Sequence, residues 1–256
     1  MITNPTYSHS GSLGDLIYSL VIPKHFGAGD FYVKLRSIDY TTQKYGYAPQ
    51  HVSEFHKRRM TDDDFNMLKP LLEVQPYISK VIATDDPEIE VNYDLDRFRG
   101  VMWRTFTGNY LEAYYKTFRI PYTRDNIIAP WLTVTPMRIA DLVITRTFRY
   151  RNPASVATWK RYTEIPGFSE AAVFVGLPEE HADFEDTFKI EVPHYKCSDF
   201  LQMARVIAGC DFFIGNQTFA YSLAQGLGKA TALECIPDRT LLQNECYFQR
   251  PDCSYF

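Results

Sequence analysis

Between Ala140 and Glu234, short apolar runs alternate with segments of helical period. "ADLVITR" (140–146) and "AAVFVG" (171–176) are rich in β-branched or small apolar residues and predict strands. "FKIEV" (188–192) is a weaker third candidate. In "SDFLQMARVIAGC", Phe200, Leu201, Ala204, Ile207 and Ala208 recur at helical spacing, with Ser198 as the expected N-cap and Gly209 as the stop. "DFFIG" (211–215) predicts a short buried strand. "NQTFAYSLAQGLG" predicts a helix that begins near Asn216 to Thr218 and stops at Gly228, and "ATALE" (230–234) one more strand. Short apolar strands joined by helices build a parallel sheet with helices on both faces.

The first half repeats the pattern more loosely. Tyr7 to Ser10 can end a strand, Leu16 to Lys24 a helix, and "DFYVKL" (30–35) and "YISKVIA" (77–83) two more strands. "TDDDFNMLKPLLEVQ" places Thr61 as N-cap ahead of acids that complement the helix dipole, with Pro70 as a possible kink. "NYLEAYYKTFRI" (109–120) reads as a helix. "PYTRDNIIAPWLTVTP" has three prolines and no period, which predicts a linker and a boundary near Thr133 to Met137. The expected domains are therefore 1–135 and 136–256, with the last residues able to fold back on the first.

Composition narrows the function. A chain of 256 residues with 45% hydrophobic residues can bury a sizeable core in one large or two smaller domains. No apolar run approaches the ~18–20 residues of a membrane span, and the N-terminus lacks a signal-peptide pattern. A net charge of −4 argues against a broad nucleic-acid face. The five cysteines have no metal-knuckle spacing and an odd count, which points to a reducing, cytoplasmic setting, with Cys210 and Cys235 as core thiols. No histidine pair has metal-ligand spacing.

Two α/β halves suggest a cleft, and such sheets bind ligands outside the carboxyl ends of their strands. In "YSHSGSLGDLIYSLVIPK" (7–24), Gly11 and Gly14 let backbone approach a ligand at a helix start. Asp15 can act as a general base there, or simply complement the helix dipole. His9, Ser10 and Ser12 share that loop. The spacing is not the dinucleotide fingerprint. In the second half, Asn216, Gln217 and Thr218 open a helix after a strand, which suits a phosphate or a diol as well as ordinary capping. "RTFRYRN" carries Arg146, Arg149 and Arg151, whose guanidinium groups suit a diphosphate or a solvated loop. Glu234, at a strand end, can bond a ribose diol or serve the structure, and the segment from Gly176 to His181 can lie against a base. "DLD" (94–96) could hold a metal, but Arg97 and Arg99 beside it favour ion pairing.

Together these segments resemble the heptosyltransferase-like glycosyltransferases. "GSLGDLIYSLVIPK" is similar to their opening, "NYDLDRFRG" to a strand that begins Y-D, and "VFVGLPEEHADF" to a strand, glycine turn and acid. The region from Asp199 to Glu234, "DFLQMARVIAGCDFFIGNQTFAYSLAQGLGKATALE", is the most specific match. Phage-encoded members of similar size share the look of "HSGSLGDLIYSL" and "RYRN". The resemblance implies a GT-B-like α/β fold with two Rossmann-like domains. It implies an acceptor on the first domain, a nucleotide-sugar on the second, and no metal or other cofactor. Asp15 aligns with the proposed catalytic base and Thr218 with a donor-phosphate contact. The chain departs from the family at Gln217 (usually aspartate), Phe219 (usually glycine) and Ser222 (usually histidine). A donor other than ADP-heptose, or an altered activity, is therefore open.

The expectation is a metal-independent glycosyltransferase with a saccharide acceptor. The alternatives are transfer to hydroxymethylated bases of phage DNA, and a non-catalytic nucleotide- or sugar-binding module.

Overall fold

The computed structural model of the protein describes residues 2–36, 44–45, 60–102, 108–236 and 245–256. The chain divides into two units, Met1–Thr133 and Val134–Phe256.

In the first unit, β1 (Thr6–Ser10) leads into α1 (Leu13–Ser19) and α2 (Val21–Phe26), then β2 (Gly29–Lys34). After α3 (Asp62–Glu73) and β3 (Ile78–Thr84), the chain crosses to the other side of β1 for the two-residue β4 (Tyr93–Asp94). The order is β3-β2-β1-β4, and every pairing is parallel. Phe31 and Val33 of β2 and Leu16 and Ile17 of α1 are fully buried, so apolar spacing sets which faces turn inward. Thr61 caps α3 and closes a capping box with Asp64. After Asp94 the chain winds into a 3₁₀ turn (Leu95–Phe98) and α4 (Arg99–Met102). α5 (Tyr110–Thr117) follows, capped by Asn109.

The segment expected to be a linker is built into this unit. It contains α6 (Arg124–Ile128) and the buried Trp131, whose Nε1 donates to the Ile17 carbonyl at 2.8 Å. Gln75 Nε2 donates to the Thr133 carbonyl while its Oε1 accepts from the Thr133 amide. Tertiary contacts thus order a stretch whose own pattern is featureless.

In the second unit, β5 (Leu142–Thr145), α7 (Val156–Thr163), α8 (Phe168–Ala171), β6 (Ala172–Phe174), α9 (Pro178–Phe188), α10 (Phe200–Gly209), β7 (Phe212–Asn216), α11 (Phe219–Gly226), β8 (Ala230–Glu234) and β9 (Cys253–Tyr255) follow in order. The sheet is parallel throughout, in the order β6-β5-β7-β8-β9. Its core gathers Ile144, Trp159, Phe174, Phe184, Ile214 and Ala232. A Cβ on Gly215 would lie 2.5 Å from Thr145 Oγ1, so only glycine lets β7 approach β5 there.

Three local expectations change. "FKIEV" is not a strand: Phe188 ends α9 and Lys189 turns left-handed at φ 53°. Asp199, not Ser198, caps α10, accepting from the Gln202 amide at 2.7 Å. The last residues join the second sheet as β9, and Phe256 packs edge-on against Trp159. The expected class, two parallel Rossmann-like α/β units, is the fold observed. Among the described residues, no helix is long and apolar enough to cross a membrane.

Candidate functional site

Each sheet reverses its direction of winding once. In the first unit this happens between β1 and β4, and in the second between β5 and β7. In each unit by itself, the carboxyl ends of those strands mark where an open α/β sheet receives ligands. Most of the residues singled out from sequence stand at these places, while Gly176 follows β6 and Glu234 ends β8.

In the first unit, β1 ends at Ser10 and the chain turns through Gly11 at φ 99°, a region that favours glycine. Gly14 lies inside α1, so Gly11 alone makes the turn. Ser12 flanks α1 without a side-chain cap bond, and Asp15 sits in the helix's first turn. Asp15 Oδ2 pairs with Arg99 Nη1 at 3.1 Å. Arg99 Nη2 donates to the Ser10 carbonyl at 3.1 Å. The Ser10 amide donates to both oxygens of Asp96, at 3.1 and 3.0 Å. Asp96 is fully buried and meets Lys34 Nζ at 2.8 Å. Lys34 also reaches Asp94 Oδ1 at 3.1 Å. The "DLD" aspartates are thus counter-ions of Lys34, and Arg99 joins them, as their cationic neighbourhood suggested. Arg97 instead lies over the Phe118 ring.

Burial alone would raise the Asp96 carboxyl, but His9 when charged, Lys34 and Arg99 hold it below the usual carboxylate range. Burial lowers Lys34 in isolation; Asp96 and Asp94 outweigh that and raise it. His9 is fully buried behind the loop, and burial pushes its pKa down to about 4. Its Nε2 stands 3.1 Å from the Tyr114 hydroxyl, which donates to the Asp15 carbonyl at 3.0 Å. His9 therefore braces the loop from the core side.

In the second unit, Asn216 ends β7. Its Oδ1 accepts from the Thr147 amide at 3.1 Å, and its Nδ2 donates to the Thr147 carbonyl at 2.9 Å and the Arg149 carbonyl at 2.5 Å. Asn216 therefore fastens the arginine loop to the strand end and is not the cap of α11. Thr218 is that cap, its Oγ1 accepting from the Tyr221 amide at 3.3 Å. Arg146 and Arg151 are engaged by the protein itself. Arg146 pairs with Glu234, and Arg151 pairs with Asp183 at 2.7 Å while donating to the Thr147 carbonyl. Arg149 stacks on Tyr150 and donates to its hydroxyl at 2.7 Å.

Glu234 differs from the ribose-binding expectation. Its two oxygens accept from Arg146 Nε and Nη2, the Asn152 amide, Ser155 Oγ and Trp159 Nε1, all between 2.7 and 3.2 Å. Burial alone would raise its carboxyl; Arg146 and the other donors bring it below the ordinary value. Five donors leave a buried carboxylate little capacity for a sixth, so Glu234 anchors the loop and α7 from beneath.

Gly176 follows β6 at a place where only glycine fits: a Cβ there would lie 2.9 Å from the Phe174 ring. Its carbonyl lies 3.0 Å from His194 Nε2. The three positions that depart from the resembled pattern make contacts within this unit. Gln217 donates to Glu245 Oε1 at 2.9 Å, Phe219 meets the Phe200 ring at 4.4 Å, and the fully buried Ser222 donates to the Phe219 carbonyl.

Sequence reasoning missed the donors that converge on Glu234 and the bond from Arg99 to Asp15. Those partners lie 75 to 88 residues apart, and 84 apart, with no local pattern to link them. A cavity of about 400 Å³, lined by Leu142, Tyr162, Ile165, Phe168 and Phe212, opens at the amino ends of β5 and β7, away from these loops. Among the described residues, no group of three or more His, Cys, Asp or Glu side chains is placed to hold a metal ion.

No protein-family model and no curated protein sequence matches the chain. Solved structures do. A glycosyl transferase family 9 protein of Veillonella parvula DSM 2008 is 10% identical, with TM-score 0.59 over 98% of this chain and 84% of its own. ADP-heptose LPS heptosyltransferase II of E. coli is 9% identical, with TM-score 0.58 over 99% and 90%. E. coli heptosyltransferase WaaC, solved with ADP, is 11% identical, with TM-score 0.54 over 99% and 92%. At these identities the likeness is one of fold.

Proposed function

We propose that the protein is a glycosyltransferase that moves a sugar from a nucleoside-diphosphate sugar to a hydroxyl group, with a saccharide as acceptor. The observation that carries this reading is the setting of Asp15. It stands just beyond the carboxyl end of β1, with Oδ2 bonded to Arg99. Among the described residues no donor bonds Oδ1. The fold shared with glycosyltransferases along nearly the whole chain supports the same reading.

In the proposed reaction the acceptor oxygen attacks the anomeric carbon. The bond from that carbon to the donor's diphosphate oxygen breaks, and its electron pair leaves with the diphosphate. The acceptor's proton passes to Asp15. The first unit supplies this base, with the Ser10 to Gly14 loop against the acceptor. The second unit holds the donor. Amide groups at the start of α11, behind Thr218, and the Arg149 guanidinium stabilise the charge on the leaving diphosphate. Arg146, Arg151 and Asn216 hold that loop in shape. The reaction as proposed uses no metal, because cationic and N–H donors take the metal's electrostatic role.

A thermal-shift series with ADP-, UDP- and GDP-sugars, with and without EDTA, tests the reading. A donor that binds the folded state raises the melting temperature. Absence of a shift with every nucleotide-sugar would sink the donor assignment, and a shift abolished by EDTA would sink metal independence.

A further inference from the structure

We propose that Arg99 is the positioning residue of Asp15, and that Asp96 holds Arg99 in place; this rests on the reading of Asp15 as the base. The Arg99 guanidinium is buried and makes two hydrogen bonds, from Nη1 to Asp15 Oδ2 at 3.1 Å and from Nη2 to the Ser10 carbonyl at 3.1 Å. Its Nε makes no hydrogen bond among the described residues but forms an ion pair with Asp96 Oδ1 at 3.6 Å. Asp96 is itself fixed, by the Ser10 amide and by Lys34. Ser10 is therefore gripped through its N–H by Asp96 and through its carbonyl by Arg99. These two residues lie three positions apart on one short helical stretch. Arg99 then reaches across the loop to the carboxylate.

The main chain of Asp15 is held as well. The single hydroxyl hydrogen of Tyr114 goes to the Asp15 carbonyl, so the phenol oxygen accepts from His9 Nε2. That fixes the proton of neutral His9 on Nε2 and leaves Nδ1 bare, which agrees with Nδ1 having no partner. Asp15 is thus pinned through its carbonyl by Tyr114 and through Oδ2 by Arg99, and only Oδ1 is presented. A base held in one orientation avoids the loss of rate that a misplaced group suffers. A planar fork holds its two N–H bonds, to Asp15 and to the Ser10 carbonyl, in one fixed geometry, which a lysine ammonium does not.

The test combines structures and turnover of the full chain. Crystal structures of Arg99→Met and Arg99→Lys are expected to show Asp15 displaced or in several rotamers while the backbone of α1 is unchanged. An Asp15 that keeps its position in both variants overturns the proposal. For turnover, release of nucleoside diphosphate from ADP-glucose, UDP-glucose and GDP-mannose is measured with water as acceptor. Arg99→Met is expected to lower kcat by ~10- to 100-fold with KM within a few-fold, and Arg99→Lys to lower it less. In the Asp15→Asn background, Arg99→Met is expected to cost nothing further, because it acts only through Asp15. Losses that multiply would overturn the proposal and leave Asp15 standing as the base. An Asp15→Asn variant as active as the wild type would remove the base assignment and the proposal with it.

Discussion

The guanidinium of Arg146, at the end of β5, reaches past β7 to the carboxylate of Glu234 at the end of β8, with Nε to Oε2 at 2.9 Å and Nη2 to Oε1 at 3.2 Å. Both side chains are almost wholly buried. The pair ties strands that are not neighbours and sits directly beneath the arginine loop. Asn152, Ser155 and Trp159 complete the carboxylate's shell, so the loop and the start of α7 are fixed to the sheet by one anion.

Breaking that pair from one side leaves a buried charge without its partner. Glu234→Ala is expected to destabilise the protein by ~3–5 kcal/mol. Urea unfolding followed by tryptophan fluorescence measures this, since Trp159 bonds the lost carboxylate. A change within ~0.5 kcal/mol would show that the pair does not hold the unit together.

Asp15→Asn keeps shape and removes the proton acceptor. Transfer is expected to fall by ~10²-fold or more, with donor affinity within a few-fold. Near-normal turnover would rule Asp15 out as the base, and a large drop in melting temperature would mark it as structural.

Arg149→Ala is expected to weaken nucleoside-diphosphate binding by roughly 10-fold or more, from the loss of a charge-assisted hydrogen bond of ~1.5–3 kcal/mol. Arg146→Ala is expected chiefly to destabilise, because its charge is spent on Glu234. Isothermal titration with ADP, UDP and GDP, beside melting curves, separates the two effects. Unchanged affinity in Arg149→Ala would make the loop a purely structural feature.

Stability should also depend on pH through His9. Its folded pKa of about 4 lies below the ordinary value of 6.5. The unfolded chain therefore binds the proton more tightly, and stability from this group is complete above pH ~6.5 and is lost as pH falls toward 4. Asp15, Lys34, Asp96, Arg99 and Tyr114 surround or couple to it. The loss is expected to be about 3 kcal/mol. Chemical denaturation of the wild type and of His9→Phe between pH 7 and 4 measures it. An equal slope in both would assign the dependence to other groups.

The alternation of apolar strands and helices was enough to set the parallel α/β class. Most strand positions and the helices α3, α5, α10 and α11 follow from the local pattern, whereas β9 and the helices α6 to α9 do not, and Thr61 and Asn109 close capping boxes at the helices they begin. Asp15 and Thr218 could likewise be singled out, because a residue at a strand-to-helix turn is visible in the local pattern. The partners of those residues could not. From sequence Glu234 could serve a ribose diol or the structure, and only the fold brings its five donors together; likewise "DLD" does not reveal Lys34 as the shared counter-ion of its aspartates. The proline-rich stretch before Thr133 had no period, yet Trp131 and Gln75 bind it into the first unit. Local order is written in neighbours three or four residues apart, whereas a buried charge is satisfied by whatever the fold brings within 3 Å, and only the tertiary structure decides which residues those are.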